Sequence, residues 1–291
     1  MKLSSRWSSG KPTVSFEVFP QHDEKGRVRL GKVIEKLVAL RPDFMGVTFG
    51  AGGSTREGSR DLVEDLRRLG VEVLAYFAGL GLGPRHIDAV LGSYQELGVE
   101  NLLLIRGDEP AALEGFVHDE QSMAHASDLV SYVKPRFDLC LGVAGYPEGH
   151  VQAKDLKTDL KYLKLKVDEG ATFILTNYFY DNYYYFNFVK NCREMGITVP
   201  IVPGVMPIFN FGLLESLAKT CGATITERVQ QGLGALDPNN KEAVADFGVA
   251  FAIEQCEELL RKGAPGIHLY SMDRAKSVET IVEELRARGV L

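Results

Sequence analysis

Short runs of strand-favouring residues alternate with helical periodicity along the whole chain. The runs fall at residues 14–19, 44–48, 73–78, 101–105, 139–144, 173–177, 201–203 and 266–270. Most are continuously apolar, as parallel strands buried on both faces require. Between them, apolar positions recur at helical spacing; in 28–40 they are Val28, Leu30, Val33, Ile34, Leu37 and Val38. Further helices are predicted over 56–69 after a Ser54-Thr55 cap, 86–97 after Pro84, 123–133, 154–169, 182–194, 213–219, 243–262 and 275–288. Eight β-then-α units without a break in composition predict an α/β fold, one (β/α)8 barrel over residues 1–291. The long interval from 207 to 265 predicts an extra helical segment after the seventh strand, with a turn at Asp237-Pro238-Asn239-Asn240. A doubly wound sheet is the alternative, but Gly79-Leu80-Gly81-Leu82-Gly83 has the wrong spacing for a dinucleotide fingerprint and reads as a tight β-to-α turn.

In such a barrel the reactive face lies at the C-terminal ends of the strands. The first run, Thr13-Val-Ser-Phe-Glu-Val-Phe-Pro20, carries Glu17 near its end among Phe16, Val18 and Phe19. A carboxylate there is costly to desolvate unless it is paired with a cation or keeps its proton. The other strand ends supply Thr48-Phe49-Gly50-Ala51, Tyr76-Phe77-Ala78, Arg106-Gly107-Asp108, Tyr146 to His150, Asn177-Tyr178 and Tyr270 to Arg274. This collection of charges, glycines and aromatics suits a large, flat ligand with a polar end. Taken singly, each has a plainer reading. Arg106 and Asp108 could be a local ion pair, Lys166 a solvated helix lysine, and His150 an ordinary loop residue. Asp159 and Lys166, seven apart, fall near one helix face. His150 with Glu148 is too little for a metal site. The acidic stretch 109–121 reads as a mobile loop at the barrel mouth.

Composition narrows the field. A net charge of −6 with no basic run gives no reason to expect a nucleic-acid or membrane surface. No apolar run approaches the roughly 18 residues of a membrane span. Met1 to Gly10 is polar and lacks the core of a signal peptide, so a cytoplasmic protein is expected. Cys140, Cys192, Cys221 and Cys256 stand far apart and read as free thiols. Tyr183 to Phe188 reads as helix packing with an apolar patch for contact between copies, and a homo-oligomer is expected.

Ser15-Phe16-Glu17-Val18-Phe19-Pro20, Val47-Thr48-Phe49-Gly50-Ala51, Leu104-Ile105-Arg106-Gly107-Asp108, Gly145-Tyr146-Pro147-Glu148-Gly149-His150 and Pro203-Gly204-Val205-Met206-Pro207 resemble methylenetetrahydrofolate reductase motifs, in order, across nearly the whole chain. The resemblance is to the bacterial, single-barrel type. It implies reduction of 5,10-methylenetetrahydrofolate to 5-methyltetrahydrofolate with a bound flavin, usually FAD, with FMN as the alternative. It implies Glu17 as the acid that protonates folate N10 and Asp108 as the carboxylate between flavin and pterin. Flavin contacts would be Thr48, Phe49, Ala51, Tyr76, Arg106, Gly107, Asp108, Ala126, Tyr146, His150, Asp159 and Lys166. Folate contacts would be Asp108, Asn177 and Arg274. Electrons would come from NADH or NADPH, or from an electron-transfer protein. A cofactor-free folate-binding or methyl-transfer barrel is the competing class.

The chain departs from the family pattern at several points. Tyr76-Phe77-Ala78 stands where the family reads His-Leu-Thr, and Asn177 where it reads Gln. Phe49 replaces a tyrosine and Leu165 an arginine, and a second family glutamine falls near Leu213. The changes at Tyr76 and Asn177 predict weak or absent direct use of NADH.

Overall fold

The computed structural model describes residues 1–21, 23–49, 56–107 and 118–291. Among them the strands are β1 (Thr13–Val18), β2 (Phe44–Val47), β3 (Val73–Ala78), β4 (Asn101–Ile105), β5 (Cys140–Gly145), β6 (Phe173–Thr176), β7 (Ile201–Val202), β8 (Gly204–Val205) and β9 (Gly266–Tyr270). All pair in parallel, in the order β7-β6-β5-β4-β3-β2-β1-β9-β8. The first and last members of that order, β7 and β8, are two halves of one strand. Pro203 lies between them and has no N–H to give to a ladder. The predicted strand at 201–203 is therefore shorter than expected and resumes at Gly204. The seam is closed across it: His268 N–H donates to the Pro203 carbonyl at 3.0 Å and Gly204 N–H to Thr176 Oγ1 at 3.0 Å. The result is the expected (β/α)8 barrel.

The helices are α1 (Leu3–Arg6), α2 (Glu24–Ala39), α3 (Arg56–Arg68), α4 (Pro84–Glu96), α5 (Ala126–Val133), α6 (Leu156–Asp168), α7 (Asn182–Glu194), α8 (Phe211–Cys221), α9 (Glu227–Gly234), α10 (Lys241–Arg261) and α11 (Ala275–Ala287). α2 starts earlier than its apolar period, because the Asp23 side chain caps it by accepting the Gly26 N–H at 2.8 Å. Helices α8, α9 and α10 form the predicted extra segment. They enclose a satellite core of Tyr178, Met206, Leu214, Leu233, Val244 and Phe251 beside the C-terminal ends of β6 and β8.

The register fixes what faces the interior. Ser15 pairs with Phe44 and His268, and Glu17 with Gly46 and Tyr270. At the N-terminal end of the barrel, Trp7 stacks within 5.0 Å of Phe173 and 6.3 Å of Phe44, and its Nε1 donates to Thr13 Oγ1 at 3.0 Å. Leu3 N–H donates to the buried Asn101 Oδ1 at 2.7 Å. The polar-looking N-terminal segment thus plugs the floor of the barrel.

Of the 183–188 stretch, Tyr185 and Phe188 are buried in the core and Tyr183 projects into solvent. Packing within the chain absorbs much of the apolar patch expected there. Cys140, Cys192 and Cys256 are buried, Cys221 is partly so, and all four are free. Among the described residues no helix is long and apolar enough to cross a membrane.

Candidate active site

β1 carries Glu17 inward at the reactive end of the barrel, where its side chain is 5% exposed. Gly46, its neighbour on β2, leaves the space beside it. A Cβ at Gly46 would stand 3.1 Å from the Tyr76 hydroxyl and 3.3 Å from His268 Cε1. That space is filled by Tyr76 from β3, whose hydroxyl lies 3.3 Å from His268 Nε2 and is near enough to Glu17 to influence its carboxyl. Burial pushes the Glu17 carboxyl up to about 8. The Tyr76 hydroxyl works against that rise, and the nearby Asp273 carboxylate adds to it. At neutral pH Glu17 holds its proton. Among the described residues it is not paired with a lysine or arginine, the simplest alternative the sequence offers for a buried carboxylate. It is set up to give a proton to something arriving at the barrel mouth.

Beside Glu17 the chain is strained. Met272 and Asp273, two successive non-glycine residues, have φ of 46° and 56°. This turn brings Asp273 Oδ2 to Gln21 Nε2 at 3.0 Å and buries Oδ1 without a hydrogen-bond partner among the described residues. Burial raises the Asp273 pKa. The Ser271 hydroxyl donates to the Glu17 carbonyl, tying β9 to β1 at this level. Arg274 follows at the start of α11, exposed, with its guanidinium 5.2 Å from the Phe209 ring centre.

A second group of predicted residues meets around the end of β5. Tyr146 and His150 stack edge to face at 4.6 Å, and His150 N–H donates to Asp159 Oδ2 at 3.2 Å. The Lys166 ammonium turns inward from α6 and donates to the Ala144 carbonyl at 2.9 Å. It is not the solvated surface lysine its helix suggested. Burial presses Lys166 down to about 8, against the pull of Asp159. The Asp159 carboxyl is itself raised by burial, with Lys166 opposing. Arg106, at the end of β4, bonds Gln152 Oε1 at 2.7 Å on the same loop. Gly107 follows with φ of +87°, and a Cβ there would meet Ala78 at 2.9 Å. Ala126 is the first residue of α5. Between α5 and α6 runs an open groove of about 450 Å³, lined by Met123, Ser127, Tyr132 and Leu165 among others.

Of the remaining predicted residues, Thr48 and Asn177 are half-buried at the ends of β2 and β6. Phe49 is buried and packs against Phe77 at 5.2 Å. Ala51, Asp108, the Ser54-Thr55 cap and most of the 109–121 loop lie outside the described residues. Glu148 accepts the Thr224 N–H at 3.1 Å, and among the described residues no cluster of three metal ligands occurs. Sequence reasoning passed over Ser15 and His268. A serine in a strand and a histidine in another carry no signal until the register pairs them.

The family model described as methylenetetrahydrofolate reductase matches residues 2–286. The chain belongs to the methylenetetrahydrofolate reductase family. Its similarity extends to the "Methylenetetrahydrofolate reductase (NADH) 1" of Arabidopsis thaliana, 36% identical over 98% of this chain and 50% of that protein. The 5,10-methylenetetrahydrofolate reductase of Escherichia coli is 30% identical over 96% of this chain and 92% of that protein. The chain thus spans about half the length of the plant family members it matches. Among solved structures, a Clostridium thermocellum protein that binds two copies of 5-methyl-5,6,7,8-tetrahydrofolic acid has the same fold, with a TM-score of 0.62, 17% identity, and coverage of 97% and 96% of the two chains. In this family member the described parts of the sequence motifs and Glu17 fall at one end of one barrel.

Proposed function

We propose that the chain is a flavin-dependent oxidoreductase, a single catalytic barrel that reduces 5,10-methylenetetrahydrofolate to 5-methyltetrahydrofolate, the methyl supply for methionine. The observation that carries this reading is Glu17, buried at the reactive end of β1 with its carboxyl raised to about 8. An ordinary glutamate, near 4.3, is a poor acid at neutral pH. One raised this far can give its proton to folate N10 and open the imidazolidine ring to an N5-iminium cation. By the same resemblance, Asp108 supplies a fixed negative charge to that cation, and Asn177 and Arg274 hold the folate. An adjacent anion would also suit the exposed Arg274 guanidinium.

Two observations support a flavin. The inward-turned Lys166 ammonium and Arg106 offer cationic donors for its phosphates on one side of the mouth. Gly107, with its positive φ, lets backbone come close where a side chain would intrude. Tyr146, His150, Asp159 and Ala126 complete that side. The flavin, FAD in this reading, supplies hydride to the methylene carbon. NADH is the proposed donor, in keeping with the name of the Arabidopsis relative.

The test separates two half-reactions. With Glu17→Gln, flavin binding and flavin reduction by the donor should persist, while methylene-folate reduction falls at least ~100-fold. Equal loss in both half-reactions would mark Glu17 as structural. A colourless preparation that binds no added flavin would favour the cofactor-free alternative.

A further inference from the structure

Asp273 stands beside Glu17 at the barrel mouth, and the proposed reaction gives it no part. The turn that carries it is tied to β1. The fully buried Ser271 hydroxyl donates to the Glu17 carbonyl, and Asp273 N–H donates to Ser271 Oγ at 3.3 Å. Arg274 N–H closes the turn on the Ser271 carbonyl at 2.9 Å. Within it Met272 and Asp273 hold φ of 46° and 56°. Two adjacent non-glycine residues stay in that region only where their surroundings over-determine them. What the turn delivers is a half-bonded carboxyl group. Gln21 Nε2 donates to Asp273 Oδ2 at 3.0 Å, while Oδ1 is buried without a hydrogen bond. Among the described residues no lysine, arginine or histidine forms an ion pair with it. The adjacent Arg274 guanidinium turns instead to the Phe209 ring.

Two carboxyls thus meet at one end of the barrel, and their surroundings decide which is charged. Glu17 is enclosed among groups that are neutral at pH 7. β2 offers it Gly46. β3 offers Tyr76 and β9 offers Tyr270, and burial pushes both hydroxyls upward. The Tyr270 hydroxyl is already committed to the Thr176 carbonyl at 2.9 Å. His268, one layer below, is held neutral by burial. Asp273 is also raised by burial, but the Phe19 backbone opposes that rise and the Gln21 amide donates to it. A donor to a carboxylate favours the charged form. Asp273 is therefore the anion of the two, and Glu17 the acid.

We propose that Asp273 is a positioning residue for the acid, a standing negative charge that the strained turn and Gln21 hold beside Glu17 so that the proton of the pair stays on Glu17. The charge leaves protonated Glu17 undisturbed and repels the carboxylate that remains once the proton has gone. It therefore favours reloading of Glu17 after each turnover. The two groups titrate as a coupled pair, Asp273 at the lower midpoint and Glu17 at the upper. The sign agrees with the electrostatics of the site, where Asp273 adds to the rise that burial gives Glu17. The role assigned to Asp273 rests on Glu17 being the acid.

The experiment is an infrared pH titration of the two carboxyls in the purified, folate-free protein, with each band assigned by its loss in Glu17→Gln or Asp273→Asn. Asparagine tolerates the positive φ and removes only the charge. In Asp273→Asn the Glu17 midpoint should fall by about one unit. Gln21→Leu breaks the same hydrogen bond but keeps the charge, and should leave the Glu17 midpoint nearly in place. In Glu17→Gln the Asp273 midpoint should stay where it is, because Glu17 is neutral throughout that titration. An unmoved or raised Glu17 midpoint in Asp273→Asn overturns the proposal. So does an equal fall in Gln21→Leu, which would mean the turn acts by packing alone. A fall of the Asp273 midpoint in Glu17→Gln overturns it too, since Glu17 would then be the anion. If Asp273→Asn does not fold, Asp273→Gly, which also relieves the positive φ, must show the same fall. Loss of the folate half-reaction with rising pH should begin lower in the charge-free variant, by the same amount as the midpoint. A lowered midpoint with an unmoved pH profile supports the coupling and removes Glu17 from the chemistry, so the two failures are read separately.

Discussion

At the scale of single residues, the raised Glu17 carboxyl has a consequence for stability that needs no substrate. Its folded value is about 8 against an unfolded reference of 4.5. The folded state therefore holds a proton that the unfolded chain gives up over that window. The stabilising contribution is fully present below pH 4.5 and is lost as pH rises through about 8. Its full span corresponds to roughly 5 kcal/mol. Denaturant unfolding of wild type and Glu17→Gln across this range should diverge as pH rises, wild type losing stability relative to the variant. Parallel curves would mean that Glu17 ionises as easily in the fold as out of it. Lys166 makes a second residue-scale prediction. Lys166→Met keeps the stem and removes the inward ammonium, and should weaken flavin affinity about tenfold or more, read by fluorescence of released flavin. Affinity unchanged would take Lys166 out of the flavin's reach. Glu17 was legible in the sequence because a charge in an apolar strand is conspicuous. Lys166 was less so: one lysine among several on an amphipathic helix does not announce that it turns toward a strand end. Ser15 and His268 were illegible, since their meaning lies in a register between strands more than 250 positions apart in the chain.

At the scale of elements, continuous apolar runs and helical periods located the eight barrel positions and the added helices. What they missed has local physical causes. The seventh strand breaks because Pro203 cannot donate, and the barrel accepts the break by bonding around it through His268 and Gly204. The floor of the barrel was missed because Met1 to Gly10 looks polar. Only Leu3 and Trp7 of that segment are buried hydrophobics, and a pair of residues makes no periodicity. Yet Trp7 meets Phe44, Phe173 and Thr13 at once. Trp7→Ala should cost about 3–5 kcal/mol, as for other large-to-small core changes. Unfolding followed by circular dichroism would measure it, since the variant loses the chain's one tryptophan. A loss under 1 kcal/mol would show that the plug docks on a barrel already complete without it.

At the scale of the whole molecule, the barrel divides its mouth into a proton side, built by β1, β3 and β9, and a cationic side, built by β4, β5 and α6. The division bears on the electron donor. The departures at Tyr76, Phe77, Ala78 and Asn177 suggested a poor NADH site. The structure removes part of the basis for that expectation. Tyr76 meets His268 beside Glu17 inside the barrel, and Phe77 is fully buried against Phe49, so neither adds bulk at the surface of the mouth. Of the four, Ala78 and Asn177 remain, both half-buried at strand ends, the first without the hydroxyl and the second a shortened amide. A lost hydrogen bond to a ligand weakens discrimination but does not block entry. The purified protein alone, with flavin, should therefore oxidise NADH in a saturable manner under steady-state conditions. Asn177→Gln should lower KM for NADH more than it raises kcat, since it restores reach in binding rather than chemistry. If flavin stays oxidised under anaerobic NADH and NADPH alike, yet is bleached by chemical reductant, the donor is a protein and the change at Asn177 belongs to its docking.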